Sequence, residues 1–209
     1  MLALSAQTNE FLVAYLNERV KHLHHSINLR ENDGTAALAS FIERYVELVP
    51  EFTQAFEDFL RKANISGEIE RQVTTAKEFL DVPVTVVSSE ETLEAHMYQA
   101  YQAHRLLEEL NDVLSANYNC PVIAVDMTRS NLIVHHIIGE PFANQIDGAI
   151  QLLNDKLLLA IKNDELVQQK LEAYASKLSN DPIARFPCLT DSSNIRLLFK
   201  SQNSRVRLH

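Results

Sequence analysis

The sequence predicts an all-α protein: a helical bundle of six or seven helices closed by a small C-terminal β-hairpin. Three observations lead there. The 209 residues include only 4 glycines, where average usage of about 7% would supply roughly fourteen. Apolar residues recur at spacings of 3 and 4 through most of the chain, which gathers them on one face of a helix. Sustained alternation of period 2, the mark of a half-buried strand, is confined to positions 195–208.

The first helix is expected from about Thr8 to Leu29, because Leu12, Leu16, Val20, Leu23 and Ile27 share a narrow arc at 100° per residue. Asn32-Asp33-Gly34 then reads as a turn. From Thr35 to Ala63, Leu38, Ile42, Tyr45, Val49, Phe52, Phe56, Phe59 and Ala63 keep an unbroken heptad seam. Pro50 removes one backbone hydrogen bond inside it. The seam holds its register across Pro50, so one kinked helix is expected. A shorter helix follows Ser66, with Ile69, Val73, Ala76 and Leu80 on one side, and Pro83 stops it near Asp81.

Val84–Val87 is short, β-branched and extended, and Ser88 with Glu91 forms a capping box for a long helix to about Asn117. The segment Cys120–Val125 is again β-rich, which leaves open a parallel pairing of Val122–Val125 with Val84–Val87. Asp126 is placed to cap a helix that reaches Glu140. Pro141 opens another that runs to about Leu178, with a break expected at Asn163-Asp164. Ile195–Lys200 and Arg205–Leu208 form the two arms of the expected hairpin. The chain thus divides into a bundle, 1–178, and a proline-punctuated tail, 179–209.

Charge divides at the same place. The whole chain carries −9, of which 1–178 contributes −12 and the tail +3. An acidic bulk is not expected to bind a nucleic-acid backbone. The scattered Gly34, Gly67, Gly139 and Gly148 exclude a glycine-loop nucleotide site. No basic residue precedes Arg19 and no apolar run approaches the ~20 residues that span a bilayer. The expectation is a cytoplasmic protein without membrane contact, whose Cys120 and Cys188 are reduced thiols.

Eight histidines raise the question of a metal. Glu18/His22, His104/Glu108 and His136/Glu140 stand four residues apart, but that spacing also serves ordinary surface pairs. On the first helix, Glu18, His22 and His25 lie away from the apolar stripe. No cofactor is therefore expected, and a metal would need the interior. The long helix offers the one interior candidate. Leu93, Met97, Ala100, His104, Leu107, Asn111 and Leu114 form its seam, so His104 and Asn111 occupy apolar positions. They are either a register-fixing polar pair or a ligand site that Glu108 and His96 complete.

Two short motifs resemble known families. Glu90-Glu91-Thr92-Leu93-Glu94 with Glu109-Leu110-Asn111-Asp112 looks like the EExxE…ExxD signature of all-α nucleotide pyrophosphohydrolases. That resemblance implies Mg²⁺ held between two antiparallel helices. Nothing breaks the helix between Ala95 and Glu108, however, which sets Glu94 and Glu109 about 22 Å apart. His135-His136-Ile137-Ile138-Gly139 resembles the HxLKG core of histidine phosphotransfer domains. It implies His135 as phosphoryl acceptor, with Gly139 clearing space for the phosphate. Ile138 replaces the lysine of that pattern. His135, His136, Gly139 and Glu140 are the surface candidates, with both histidines expected to be exposed.

No nucleophile elbow, catalytic cysteine–histidine arrangement or zinc-protease motif is present. The sequence points to a non-catalytic regulatory or protein-interaction module that self-associates or binds a protein partner. A metal- or ligand-binding bundle centred on His104 is the alternative.

Overall fold

The computed structural model describes residues 13–19, 21, 27–29, 34–81, 93–123, 125–178 and 195–197. Seven helices dominate them. Residues 13–19 form α1, followed by α2 (Gly34–Ala63), α3 (Glu68–Asp81), α4 (Leu93–Tyr118), α5 (Thr128–Ile138), α6 (Phe142–Lys162) and α7 (Glu165–Ala175). Two three-residue strands, β1 (Ile27–Leu29) and β2 (Ile195–Leu197), pair antiparallel with Asn28 opposite Arg196.

The heptad seam from Leu38 to Ala63 folds as expected into one helix across Pro50, and all eight seam residues are buried. The break at Asn163-Asp164 is real. Asp164 accepts from the Val167 amide at 3.0 Å and caps α7, satisfying a donor that the helix start leaves free. Asp126 accepts from the Thr128 amide at 3.0 Å, and so secures the entry to α5 from one residue before its cap.

Three expectations are corrected. The first helix does not continue to Leu29: residues 27–29 are a strand, whose backbone groups pair with the tail. Helix α5 ends at Ile138, before Glu140. Val122 and Ile123 are not in a strand, because Asn111 Oδ1 takes both their amide protons at 2.9 Å. The possible strand partner, 84–87, and the second hairpin arm, 205–208, lie outside the described residues.

Helix α4 is the centre of the bundle, in contact with α2, α3, α5, α6 and α7. Met97, Ala100, Tyr101, Ala103, Leu106, Leu107, Leu110 and Leu114 are all buried on it. Its seam in the sequence is one face of a helix enclosed on nearly every side. Helix α6 covers it with Ala143, Ile146, Ile150, Leu157 and Ile161. Among the described residues no helix is long and apolar enough to cross a membrane.

Gly139 follows α5 with φ 85° and ψ 156°, a region that only glycine occupies readily. The Arg19 guanidinium covers it: a Cβ on residue 139 would stand 2.9 Å from Arg19 Nη1. Arg19 donates to the Ile138 carbonyl at 3.1 Å and Tyr15 to the Ile137 carbonyl at 2.9 Å. Helix α1 thus satisfies carbonyls that the end of α5 leaves open and sets a cation against its negative pole. Gly139→Ala is expected to lower stability by about 1–3 kcal/mol, read by urea unfolding. Most of that loss should persist when Arg19→Ala is added, because the strain lies in the backbone. Its disappearance in the double variant would assign it to the guanidinium contact instead.

Candidate functional site

Two of the polar positions that the sequence singled out on α4, His104 and Glu108, belong to two interior arrangements. The first is His104, 1% exposed. Pro50 cannot donate to the Val46 carbonyl, and its ring crowds that turn of α2. In the same turn the Tyr45 carbonyl accepts from His104 Nε2 at 2.7 Å. The imidazole rests 4.1 Å from the Tyr45 ring and meets Phe52 edge-on at 5.4 Å, centroid to centroid. With the proton on Nε2, Nδ1 is bare, and it has no hydrogen-bond partner. Burial drives the pKa down from 6.5 to about 4, against the smaller opposing effect of the Tyr45 carbonyl. His104 is therefore neutral at physiological pH and joins α4 to α2.

The second arrangement surrounds Glu108, which is buried and whose two oxygens accept three partners. Thr128 Oγ1 donates at 2.8 Å, Asn131 Nδ2 donates at 2.6 Å, and the Arg105 guanidinium pairs with it. Asn131 Oδ1 in turn accepts from the Tyr45 hydroxyl at 2.5 Å. Arg105 also reaches Glu109 at 2.8 Å and Asp147 at 3.1 Å. Burial opposes its charge, but Glu108 and Asp147 hold the guanidinium above its ordinary pKa. Tyr101 donates to Asp147 at 2.8 Å, and Asn154 to Glu109 at 3.2 Å. Three carboxylates on α4 and α6 thus meet one guanidinium, Thr128 and Asn131 tie α5 to it through Glu108, and α2 joins through Tyr45.

Asp112 stands at the rim. Burial first, then Glu108 and Glu109, raise its pKa from 3.8 to about 6. Asn111 lies one position earlier but serves the loop after α4 through its two amide bonds. His96 is half-buried, two turns and about 12 Å of helix axis from His104. Glu94, Glu109 and Asp112 all belong to the unbroken α4, so the acidic motif does not bridge two helices.

His135 and His136 are half-buried rather than exposed, and Glu140 is exposed. For His135 the reason is α6, which brings Asn144 Oδ1 within 3.0 Å and Asp147 Oδ2 within 3.4 Å of its Nε2. His135 Nδ1 is buried without a partner. The space above Gly139 is filled by Arg19. Among the described residues no three His, Cys, Asp or Glu side chains are arranged to hold a metal ion. Cys120 is buried, and burial pushes its thiol up to about 11.

Sequence reading missed Arg105, Asp147, Tyr45, Thr128 and Asn131. The Arg105–Glu109 pair had a signal, since it stands at i,i+4. The Tyr45–Asn131 bond joins residues 86 apart, and no local pattern announces it. The chain matches no family model, no curated protein and no solved structure. The arrangement must be read from its own chemistry: its donors and acceptors are largely spent on one another, so it fixes α2, α4, α5 and α6 relative to each other.

Arg105→Met is expected to destabilise the fold by about 3 kcal/mol, because Glu108 keeps a buried charge without its cation. Adding Glu108→Leu should recover a large part of that loss in urea unfolding, whereas additive losses would show that the two residues are not coupled. His104 supplies a separate, pH-dependent term. Its folded pKa of about 4 lies below the ordinary 6.5, so the unfolded chain takes up the proton first. The stability that neutral His104 supports is fully present above pH 6.5, falls as pH drops, and is lost below pH 4. The loss amounts to about 3 kcal/mol. Asp112 acts with the opposite sign below pH 6, and its exposure weakens the effect. The difference between wild type and His104→Gln therefore isolates the imidazole. Parallel pH–stability curves for the two would refute the assignment.

Proposed function

We propose that the chain is a non-catalytic helical interaction module that docks through the outer face of α6. The observation that carries this reading is a pair of leucines on the solvent side of that helix. Leu152 is 65% exposed and Leu159 is 61% exposed. Leu152 follows the buried Ile150, and Leu159 the buried Leu157, by two positions, which is about 200° around a helix. They are thus opposite the face that covers α4 and have no part in the core. Leu166, at the start of α7, is a further leucine 60% exposed.

Two further features support the reading. The small Gly148 and Ala149 lie exposed one turn before Leu152, so a partner's backbone has room to approach. The polar groups of the interior serve the fold, which leaves the surface as the place where this protein meets others. Single exposed leucines are ordinary on protein surfaces, whereas Leu152 and Leu159, seven positions apart on one helix, share its solvent side.

A photoreactive phenylalanine analogue placed at residue 152 or 159 tests the proposal in living cells. Discrete covalent adducts to protein are expected at both positions and not at Lys170 on α7. An absence of adducts at 152 and 159 would refute docking through this face.

A further inference from the structure

We propose that a cavity between the end of α2 and the outer side of α3 binds small primary amines that carry an apolar body. Its volume is about 370 Å³, at the small end of the roughly 300–1,000 Å³ of ligand sites. It shares no residue with the solvent side of α6, so the inference stands apart from the docking role of that helix.

The floor of the cavity follows from the way α2 ends. Asn64 takes φ 53°, a left-handed conformation that asparagine tolerates better than most residues. From there the Asn64 amide donates back to the Arg61 carbonyl at 3.3 Å, and the Ile65 amide to the Leu60 carbonyl at 2.9 Å. This pair of bonds is a Schellman end, which commonly brings an apolar residue after the turn against one in the last turn of the helix. Those residues are Ile65 and Leu60, and both line the cavity with Val73 of α3. At 5%, 8% and 2% exposed, the three also belong to the core. The turn spends the carbonyls of Leu60 and Arg61, so recognition of a ligand falls to side chains at the rim.

The rim selects for positive charge. Glu57, Arg61 and Glu70 are the charged residues that line it, and two of them are already engaged. Glu57 accepts from Lys77 at 2.5 Å. Arg61 donates to Asp58 at 2.8 Å, one turn back on its own helix. Glu70 is exposed, and among the described residues no ion pair or hydrogen bond engages its carboxylate. The charge left over is therefore negative, and an ammonium finds a counter-charge where a carboxylate finds none. Thr74 adds a second, independent preference. Its hydroxyl proton is committed to the Glu70 carbonyl at 3.0 Å, so toward a ligand it can only accept. An ammonium, which donates and never accepts, suits both groups. The apolar floor adds affinity only where the ligand has hydrocarbon to cover it, which separates such an amine from a bare ammonium ion.

Titration of the full chain with phenethylamine, followed by heteronuclear NMR at neutral pH, tests the proposal. Saturable shifts are expected at Asn64, Ile65 and Thr74, with a dissociation constant in the millimolar range. Hydrocinnamate has the same body and the opposite charge, and ethylamine has the same charge and almost no body. Each should bind at least about fivefold more weakly. Glu70→Gln should weaken phenethylamine about fivefold, with an unchanged circular dichroism spectrum because the side chain is exposed and makes no contact that the fold uses. Thr74→Phe, which fills the cavity from another exposed position, should abolish binding. Equal affinity for hydrocinnamate, or for phenethylamine in Glu70→Gln, would overturn the proposal. An absence of saturable shifts, or shifts confined to residues away from the cavity, would overturn it too. A lysine blocked at both ends carries the same ammonium on an unbranched stem. Tighter binding of that probe than of phenethylamine would make the occupant a protein side chain and not a small amine.

Discussion

The burial of Glu108 in the middle of α4 is the constraint from which much of the interior follows. Helix α4 is covered by five other helices, so a carboxylate on its inner surface has no water to solvate it and must find donors from the protein. It finds three, and each comes from a defined place. Arg105 lies one turn earlier on the same helix, while Thr128 and Asn131 lie on the first turns of α5. Those bonds fix the position and rotation of α5 against α4. Asn131 then passes the constraint to α2 through Tyr45, and Arg105 passes it to α6 through Asp147. Apolar packing alone would tolerate several rotations of these helices. The network tolerates few, since a shifted helix strands a buried charge.

His104 adds a second tie between α4 and α2, of a different kind. Its neutral ring serves both as an apolar body against Tyr45 and Phe52 and as a donor to the Tyr45 carbonyl. The partner carbonyl lies in the turn that Pro50 disturbs, so a helix defect on one element coincides with a polar residue in the seam of another. The sequence showed both anomalies without their relation. A proline that interrupts a heptad seam and a histidine that occupies an apolar position were each visible. Their separation of 54 positions hid that they meet at the same turn of α2.

Gly139 illustrates the same limit. Its place beside two histidines suggested a cleared space, yet the structure fills that space with Arg19. The positive φ explains why glycine stands there, and the guanidinium from α1 explains why the end of α5 is satisfied. Neither depends on the histidines. His135 and His136 looked exposed because they fall outside the apolar stripe of their own helix. Helix α6, which follows after only three residues, folds back and sets polar groups against His135. The exposed leucines of α6 are the converse case: the sequence shows an apolar run at 157–161, and only packing reveals which members face the core and which face water.

What the sequence by itself determined is the helical class, the unbroken α2 across Pro50, the core stripes of α2 and α3 and the break before α7. These depend on interactions within a turn or two, where spacing, capping residues and proline act locally. Only the tertiary structure decided where the polar residues of α4 find their partners, that β2 pairs with β1, and that Leu152 and Leu159 are left on the surface. Those outcomes depend on which faces meet across long separations in the chain. Hydrophobic burial is non-directional and does not choose among such pairings. Directional hydrogen bonds to buried charges do, and their partners become visible only once the helices are in place.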